Sequence, residues 1–260
     1  MALYLLIFSA IVVICIFFNK FSGKFGIPVL LLFLLLGLLC GSQYDGFASN
    51  WGWVVGDIST LALVFIMFYG GFGTRWKSAK PIAMEAGMLS TLGVALTASF
   101  VGLFCHFALG WAWLESFLMG AVISSTDAAT VFSILRSRKL GLKNRTAPLL
   151  EMESGSNDPM SYMLTAVMLS LFSGGITAGG VVWQIFSQIA FGVAGGLAIS
   201  AAAVLLLKRI SFQNNGFDML LFIAIALVSY ALPDLIGGNG YLSAYIVGIV
   251  LGNTDRKSTR

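Results

Sequence analysis

The sequence predicts an all-α integral membrane protein with about nine transmembrane helices, and three observations carry that reading. Hydrophobic residues make up 58% of the 260-residue chain and charged residues 10%, with a mean hydropathy of +0.92. Too little polar surface is present to cover a water-exposed body, which excludes a soluble globular domain and a disordered chain. Apolar stretches recur at lengths near the roughly 20 residues that cross about 30 Å of hydrocarbon. Finally, the fifteen Lys and Arg residues fall in short clusters between those stretches.

Taken in order, the first stretch is 2–18; Lys20 and Lys24 follow it and no basic residue precedes it, so it reads as a span and not as a cleaved leader. A short Leu-rich span, 27–42, comes next. The third, 54–73, enters past Trp51 and Trp53 and is closed by Arg75, Lys77 and Lys80. Spans 82–108 and 112–135 meet at Trp111 and Trp113, and Arg136, Arg138, Lys139, Lys143 and Arg145 follow them. Span 147–172 carries a dense polar run. In 180–207, which ends at Lys208 and Arg209, Gly192 and Gly196 have the spacing of a close helix–helix contact. Spans 217–233 and 237–252 precede Arg256, Lys257 and Arg260.

Every basic residue therefore follows an odd-numbered span. The positive-inside rule then places the N-terminus outside and the C-terminus in the cytoplasm. The same distribution explains the net charge of +4 as a topology signal and excludes a nucleic-acid surface. Trp51, Trp53, Trp76, Trp111 and Trp113 sit at span ends as interface anchors. Cys15, Cys40 and Cys105 lie inside apolar runs as small hydrophobes. No nucleotide-binding loop, haem motif or metal-cluster spacing occurs, so no cofactor is expected.

Ionisable groups inside hydrocarbon are costly and need a reason. Asp57, Glu85 and Glu151 lie near span ends, where water or snorkelling accounts for them. Asp127, Glu153 and Asp158 lie deeper. Asp127 is about eight residues, and Asp158 about eleven, from the same side of consecutive antiparallel spans, depths within one helical turn. The run Ser124-Ser125-Thr126-Asp127 competes with the backbone for hydrogen bonds and predicts a break in the helix. An opened helix offers carbonyl and hydroxyl oxygens to a bare cation. On the next span Glu153 and Asn157 are i, i+4, as are Ser154 and Asp158, which places all four on one side. Pro159 cannot bond to the carbonyl of Gly155, leaving that oxygen free.

These ligands are all oxygen, which suits a hard cation and not zinc or copper. Removal from water favours the protonated form of a carboxyl group, whereas a nearby cation favours the ionised form. Cation and proton therefore compete for one group, the chemical minimum of an antiporter. No Lys or Arg lies within a span to pair with these acids.

The segments GAVISSTDAATVFSILRSRKL, Gly120–Leu140, and LLEMESGSNDPMSYMLT, Leu149–Thr165, resemble the monovalent cation/proton antiporters, specifically the bacterial NhaP-like potassium or sodium/proton exchangers. Weaker similarity runs through FYGGFGTRW, Phe68–Trp76, and GYLSAYIVGIVLGN, Gly240–Asn253. The resemblance implies that Asp158 alternates between cation and proton, with Thr126 and Asp127 in the broken-helix part of the site. It makes Ser154 a further oxygen ligand and Glu153 a structural carboxylate paired with an Arg on a later helix. Asn157 would mark the electroneutral branch. Where many such proteins carry an acid before Gly70-Gly71, this chain has Tyr69, a phenol beside the ion site. K⁺ or Na⁺ and H⁺ are the implied cargo, the lipid bilayer of a bacterial inner membrane the surroundings, and a homodimer the implied assembly.

The family's fold is two inverted six-helix repeats joined by a linker helix. On that plan the first repeat covers about 1–175, the linker about 180–207 and a partial second repeat about 217–252. The second broken helix and the Arg partner of Glu153 are missing from this plan, so an N-terminal portion is expected, with a non-transporting membrane fragment as the alternative function. An intramembrane hydrolase using Ser154 or Ser156 would need His106 as base, and His106 lies near the opposite end of its span.

Overall fold

The computed structural model describes residues 6, 9–10, 12–18, 20, 29–42, 47–127, 131, 135, 140–209 and 215–254. Lys24, Arg136, Arg138, Lys139, Arg256, Lys257 and Arg260, on which the topology reading partly rests, lie outside the described residues, as do parts of the first span. Among the described residues the structure is helical with short turns and contains no strand. Residues 12–18 are helical. After them come α1 (Val29–Ser42), α2 (Phe47–Gly73), α3 (Trp76–Leu109), α4 (Trp113–Ile123), α5 (Thr146–Phe172), α6 (Ala178–Arg209), α7 (Asn215–Leu235) and α8 (Gly240–Thr254).

Helices α3 and α6 run beyond the spans expected from hydropathy. Lys77 and Lys80 belong to the first turns of α3, and Lys208 and Arg209 to the last turn of α6. Long basic side chains reach water from such positions, and cations favour the negative C-terminal end of a helix. Pro81 is accommodated in a 3₁₀ turn, Lys80–Ile82, and α3 contains a π turn at Leu89–Gly93. Three stretches, Val54–Gly73, Trp76–Leu109 and Gly179–Arg209, are each long and apolar enough among the described residues to cross a membrane. α5 is equally long, but its polar run lowers its hydropathy.

The chain divides into two compact units, residues 1–57 with 127–144 and residues 58–126 with 145–260. The first holds the helical residues 12–18, α1 and the beginning of α2. In its later segment the Val131 N–H donates to the Asp127 carbonyl at 3.4 Å and the Leu140 N–H to Leu135 at 2.9 Å.

In the second unit α8 is the centre. Tyr241, Ala244, Tyr245, Val247 and Leu251 are buried together with Val64, Met67 and Phe68 of α2, Ala203 of α6 and Ile225 and Ala226 of α7. Buried residues run along this helix from Gly240 to Gly252 and around every side of it. Glycines permit the approach: a Cβ on Gly248 or Gly252 would run into the carbonyl oxygen of Phe68 or Phe72. On α6, Gly192 faces Asn239, Gly195 faces Pro233 and Gly196 faces Ser243. Outward, α3 presents Leu92, Leu96, Phe100, Phe104 and Phe107, the last 74% exposed, as an apolar stripe of helical period suited to lipid.

Candidate ion site

The end of α4 places the site. Ser124 and Ser161 both donate to the Ala121 carbonyl, each at 2.7 Å, so the last turn of α4 is tied to α5. α4 packs closely on α3, since Gly120 lies against the Ala98 carbonyl and Gly102 against the Phe117 ring. Past Ser124 the chain leaves the helix, and residues 125–127 are irregular, as the polar run predicts.

Ser125 and Thr126 lie against the polar face of α5. Ser125 Oγ donates to Asp158 Oδ1 and lies 3.4 Å from Asn157 Oδ1. Thr126 Oγ1 stands 3.2 and 3.1 Å from the two Glu153 oxygens. Asn157, fully buried, donates from Nδ2 to Thr126 Oγ1 at 2.5 Å and to Glu153 Oε1 at 2.9 Å. Ser154 Oγ donates to the Thr126 carbonyl at 2.9 Å. Glu153, Ser154, Asn157 and Asp158 thus share one face, as their i, i+4 spacing requires.

Several expectations change in detail. Glu153 finds neutral donors in Thr126 and Asn157 within this chain, because the helix break turns the Thr126 hydroxyl toward it. Ser154 and the Asn157 amide group are engaged in holding the break. Ser125, not singled out from the sequence, is the hydroxyl on the Asp158 carboxylate; its signal was the polar run itself. Tyr69 is 78% exposed. Asp127, next along the chain, is exposed and belongs to the first compact unit.

α5 is braced from outside the sequence motifs. Asn239, 2% exposed, accepts from the Leu242 N–H at 3.0 Å as the cap of α8. Its Nδ2 donates to the Pro159 carbonyl at 2.8 Å, and its own N–H to the Gln188 carbonyl at 2.9 Å. One residue therefore joins α5, α6 and α8 beside Asp158. Asn239→Ala is expected to destabilise the fold by about 2 kcal/mol or more, as loss of a cap and of a buried hydrogen bond; thermal melting in detergent measures it.

A hydrolytic pair is absent among the described residues. His106 Nδ1 lies 2.8 Å from the Trp111 carbonyl, and its ring stacks on Trp113 with centroids 3.7 Å apart. Ser154 and Ser156 donate instead to the Thr126 and Met152 carbonyls.

Comparison with known proteins agrees with this architecture. The chain is 36% identical over 253 residues to the K(+)/H(+) antiporter NhaP of Alkalimonas amylolytica, covering 96% of this chain and 44% of that protein. It is 27% identical over 184 residues to the Na(+)/H(+) antiporter NhaS2 of Synechocystis, 70% of this chain and 33% of that protein. The chain spans less than half the length of these curated relatives. Its fold matches the sodium proton antiporter MjNhaP1 of Methanocaldococcus jannaschii with a TM-score of 0.80 at 24% identity, over 99% of this chain and 64% of that one. A family model described as "Sodium/hydrogen exchanger, transmembrane" matches residues 7–260, and the chain belongs to that family of multi-pass membrane exchangers.

Proposed function

We propose that this chain carries the ion site of a K⁺ or Na⁺/proton antiporter, in which cation and proton compete for the Asp158 carboxylate. The observation that carries the reading is the placement of Asp158 on the Ser125 hydroxyl at an irregular, opened segment between α4 and α5. Ionised, Asp158 offers a charged oxygen to a cation beside neutral hydroxyl oxygens; protonated, it needs no counter-charge. Either state is tolerable in a dry setting, and both together are not.

Glu153, Asn157, Thr126 and Ser154 form the scaffold that holds the break open, and the Thr126 and Ser154 oxygens stand near enough to contribute to cation binding. Asn157, an amide beside Asp158, adds no titrating charge, which supports electroneutral exchange. Asp127 is proposed as a second carboxylate of the broken-helix segment, and Tyr69 as a phenol neighbouring the ion site. The division into a first repeat over about 1–175, a linker helix over about 180–207 and the start of a second repeat over about 217–252 belongs to the same proposal. So do a bacterial inner-membrane location with the N-terminus outside, the C-terminus in the cytoplasm, and a homodimeric assembly.

Everted vesicles containing the chain test the reading. Addition of K⁺ or Na⁺ is expected to collapse an imposed pH gradient, and the more effective ion identifies the substrate. Membrane-inserted chain that moves no protons with either ion refutes antiport by this chain. Ser125→Ala is expected to raise the cation concentration for half-maximal exchange about tenfold, the worth of one hydrogen bond to a charged group. An unchanged half-maximal concentration would remove Ser125 from the site.

A further inference from the structure

Helix α3 has 34 residues, about 51 Å at 1.5 Å per residue, whereas bilayer hydrocarbon is about 30 Å thick. The excess length needs a place. The exposed residues Met84, Met88, Leu92, Leu96, Phe100 and Phe104 follow one another at i, i+4 along the helix. From Met84 to Phe104 the rise is about 30 Å, one hydrocarbon thickness. With the stripe set in the hydrocarbon, the turns before Met84 stand among lipid headgroups.

Those turns are cationic. Lys80, four residues before Met84, continues the stripe, and Lys77 precedes Lys80 at i, i+3 on the same side. Arg75 and Lys77 flank Trp76, which is 41% exposed, and all three cations are exposed. Lys80 and Lys77 stand about 6 and 10 Å beyond Met84, within side-chain reach of a headgroup layer about 5–8 Å deep.

The other side of this segment is taken. Thr74, Ala79, Ile82 and Ala86 are buried, and the segment packs on α5. Asn253 of α8 fixes the turn: its Oδ1 accepts from the Trp76 N–H at 2.9 Å, and its Nδ2 donates to the Thr74 carbonyl at 2.9 Å. The cations therefore project outward from a held backbone. None of the three forms an ion pair among the described residues. Glu85, the nearest acid in α3, lies five residues past Lys80, outside the i, i+3 and i, i+4 positions that face one another.

Unanswered cations above an apolar stripe complement one kind of molecule, with an anionic head and apolar tails. A free anion would leave the stripe uncovered, and an apolar helix would leave the cations unanswered. We propose that the first turns of α3 form a binding site for an anionic phospholipid. Arg75, Lys77 and Lys80 hold its phosphate, and its acyl chains lie along Met84, Met88 and Leu92.

Brominated phospholipids in vesicles test the site, because bromine on an acyl chain quenches a nearby indole. Met84→Trp puts a reporter at the head of the stripe, and its emission is the difference from the parent chain. In phosphatidylcholine vesicles, brominated phosphatidylglycerol is expected to quench the reporter at about a 25-fold lower mole fraction than brominated phosphatidylcholine. The figure counts about fivefold for each of Lys77 and Lys80 beside an anionic lipid. Lys77→Gln with Lys80→Gln, both exposed, is expected to remove that difference. Lys208→Gln with Arg209→Gln, at the end of α6, is expected to leave it intact. Equal loss in the α6 pair would mean attraction to surface charge at large and overturns a site on α3. Equal quenching by both lipids overturns it too, and quenching by neither means that protein covers the stripe. Loss of the difference in sodium phosphate, but not in sodium chloride of the same ionic strength, overturns the lipid in favour of free phosphate.

Discussion

Asp158→Asn is expected to reduce cation-driven proton movement in everted vesicles to the level of vesicles lacking the protein. The substitution is nearly isosteric, so the Ser125 hydroxyl keeps an oxygen to bond and the α5 face keeps its shape. What is lost is the group that exists in two charge states. An amide neither releases a proton when a cation arrives nor balances the cation's charge after water is removed. Because coupling needs both, the effect is loss of exchange and not a shift in affinity. Exchange at the parental rate in Asp158→Asn would refute the assignment. Glu153→Gln provides the contrast: its partners Thr126 and Asn157 still find an oxygen, so partial exchange is expected from the same vesicles.

The second large effect is on folding. Gly248→Leu is expected to abolish the folded, monodisperse species in detergent, as read by size-exclusion chromatography. Gly248 faces the Phe68 carbonyl, with Phe72 N 2.9 Å from the site of any Cβ. These are backbone atoms of α2, which cannot rotate aside as a side-chain tip can. Adding even one methyl group must push two helices apart, at about 1–3 kcal/mol for ordinary overpacking. Gly252 and Gly71 line the same contact, so a shift at one is transmitted to the others. Within the apolar cluster that α8 forms with α2, α6 and α7, separation would also open voids. Gly93→Ala, in the π turn of α3 with no neighbour within 4 Å of the added carbon, is the control and is expected to fold normally. Equal behaviour of the two variants would contradict the α2–α8 packing.

Much of this architecture is legible in the residue order. Helix ends fall close to the hydropathy boundaries for α5 and α7 and at the start of α4, since burial of apolar length in lipid is a local property of the chain. Ends such as those of α3 are displaced outward because Lys77 and Lys80 can stay helical while their ammonium groups reach water. Helix α8 was less legible. Its apolar run is short, yet it is the most enclosed helix of its unit. Enclosure depends on which surfaces surround a helix, and glycines at 71, 248 and 252 acquire that meaning only when α2 and α8 are side by side.

The candidate site divides along the same line. By itself the sequence determined a helical membrane protein, a break at Ser124–Asp127, and a shared face for Glu153, Ser154, Asn157 and Asp158. Each follows from a local rule: desolvation cost, competition for backbone hydrogen bonds, and the 3.6-residue repeat. Only the tertiary structure decided that Ser125 meets Asp158, that Thr126 and Asn157 hold Glu153, and that Asn239 braces Pro159. It also set Tyr245 against Gly155. Adjacent oxygens in an irregular segment are chemically alike, and the direction the backbone takes after α4 selects among them. That direction is set by contacts between helices far apart in the chain, on which no periodicity reports.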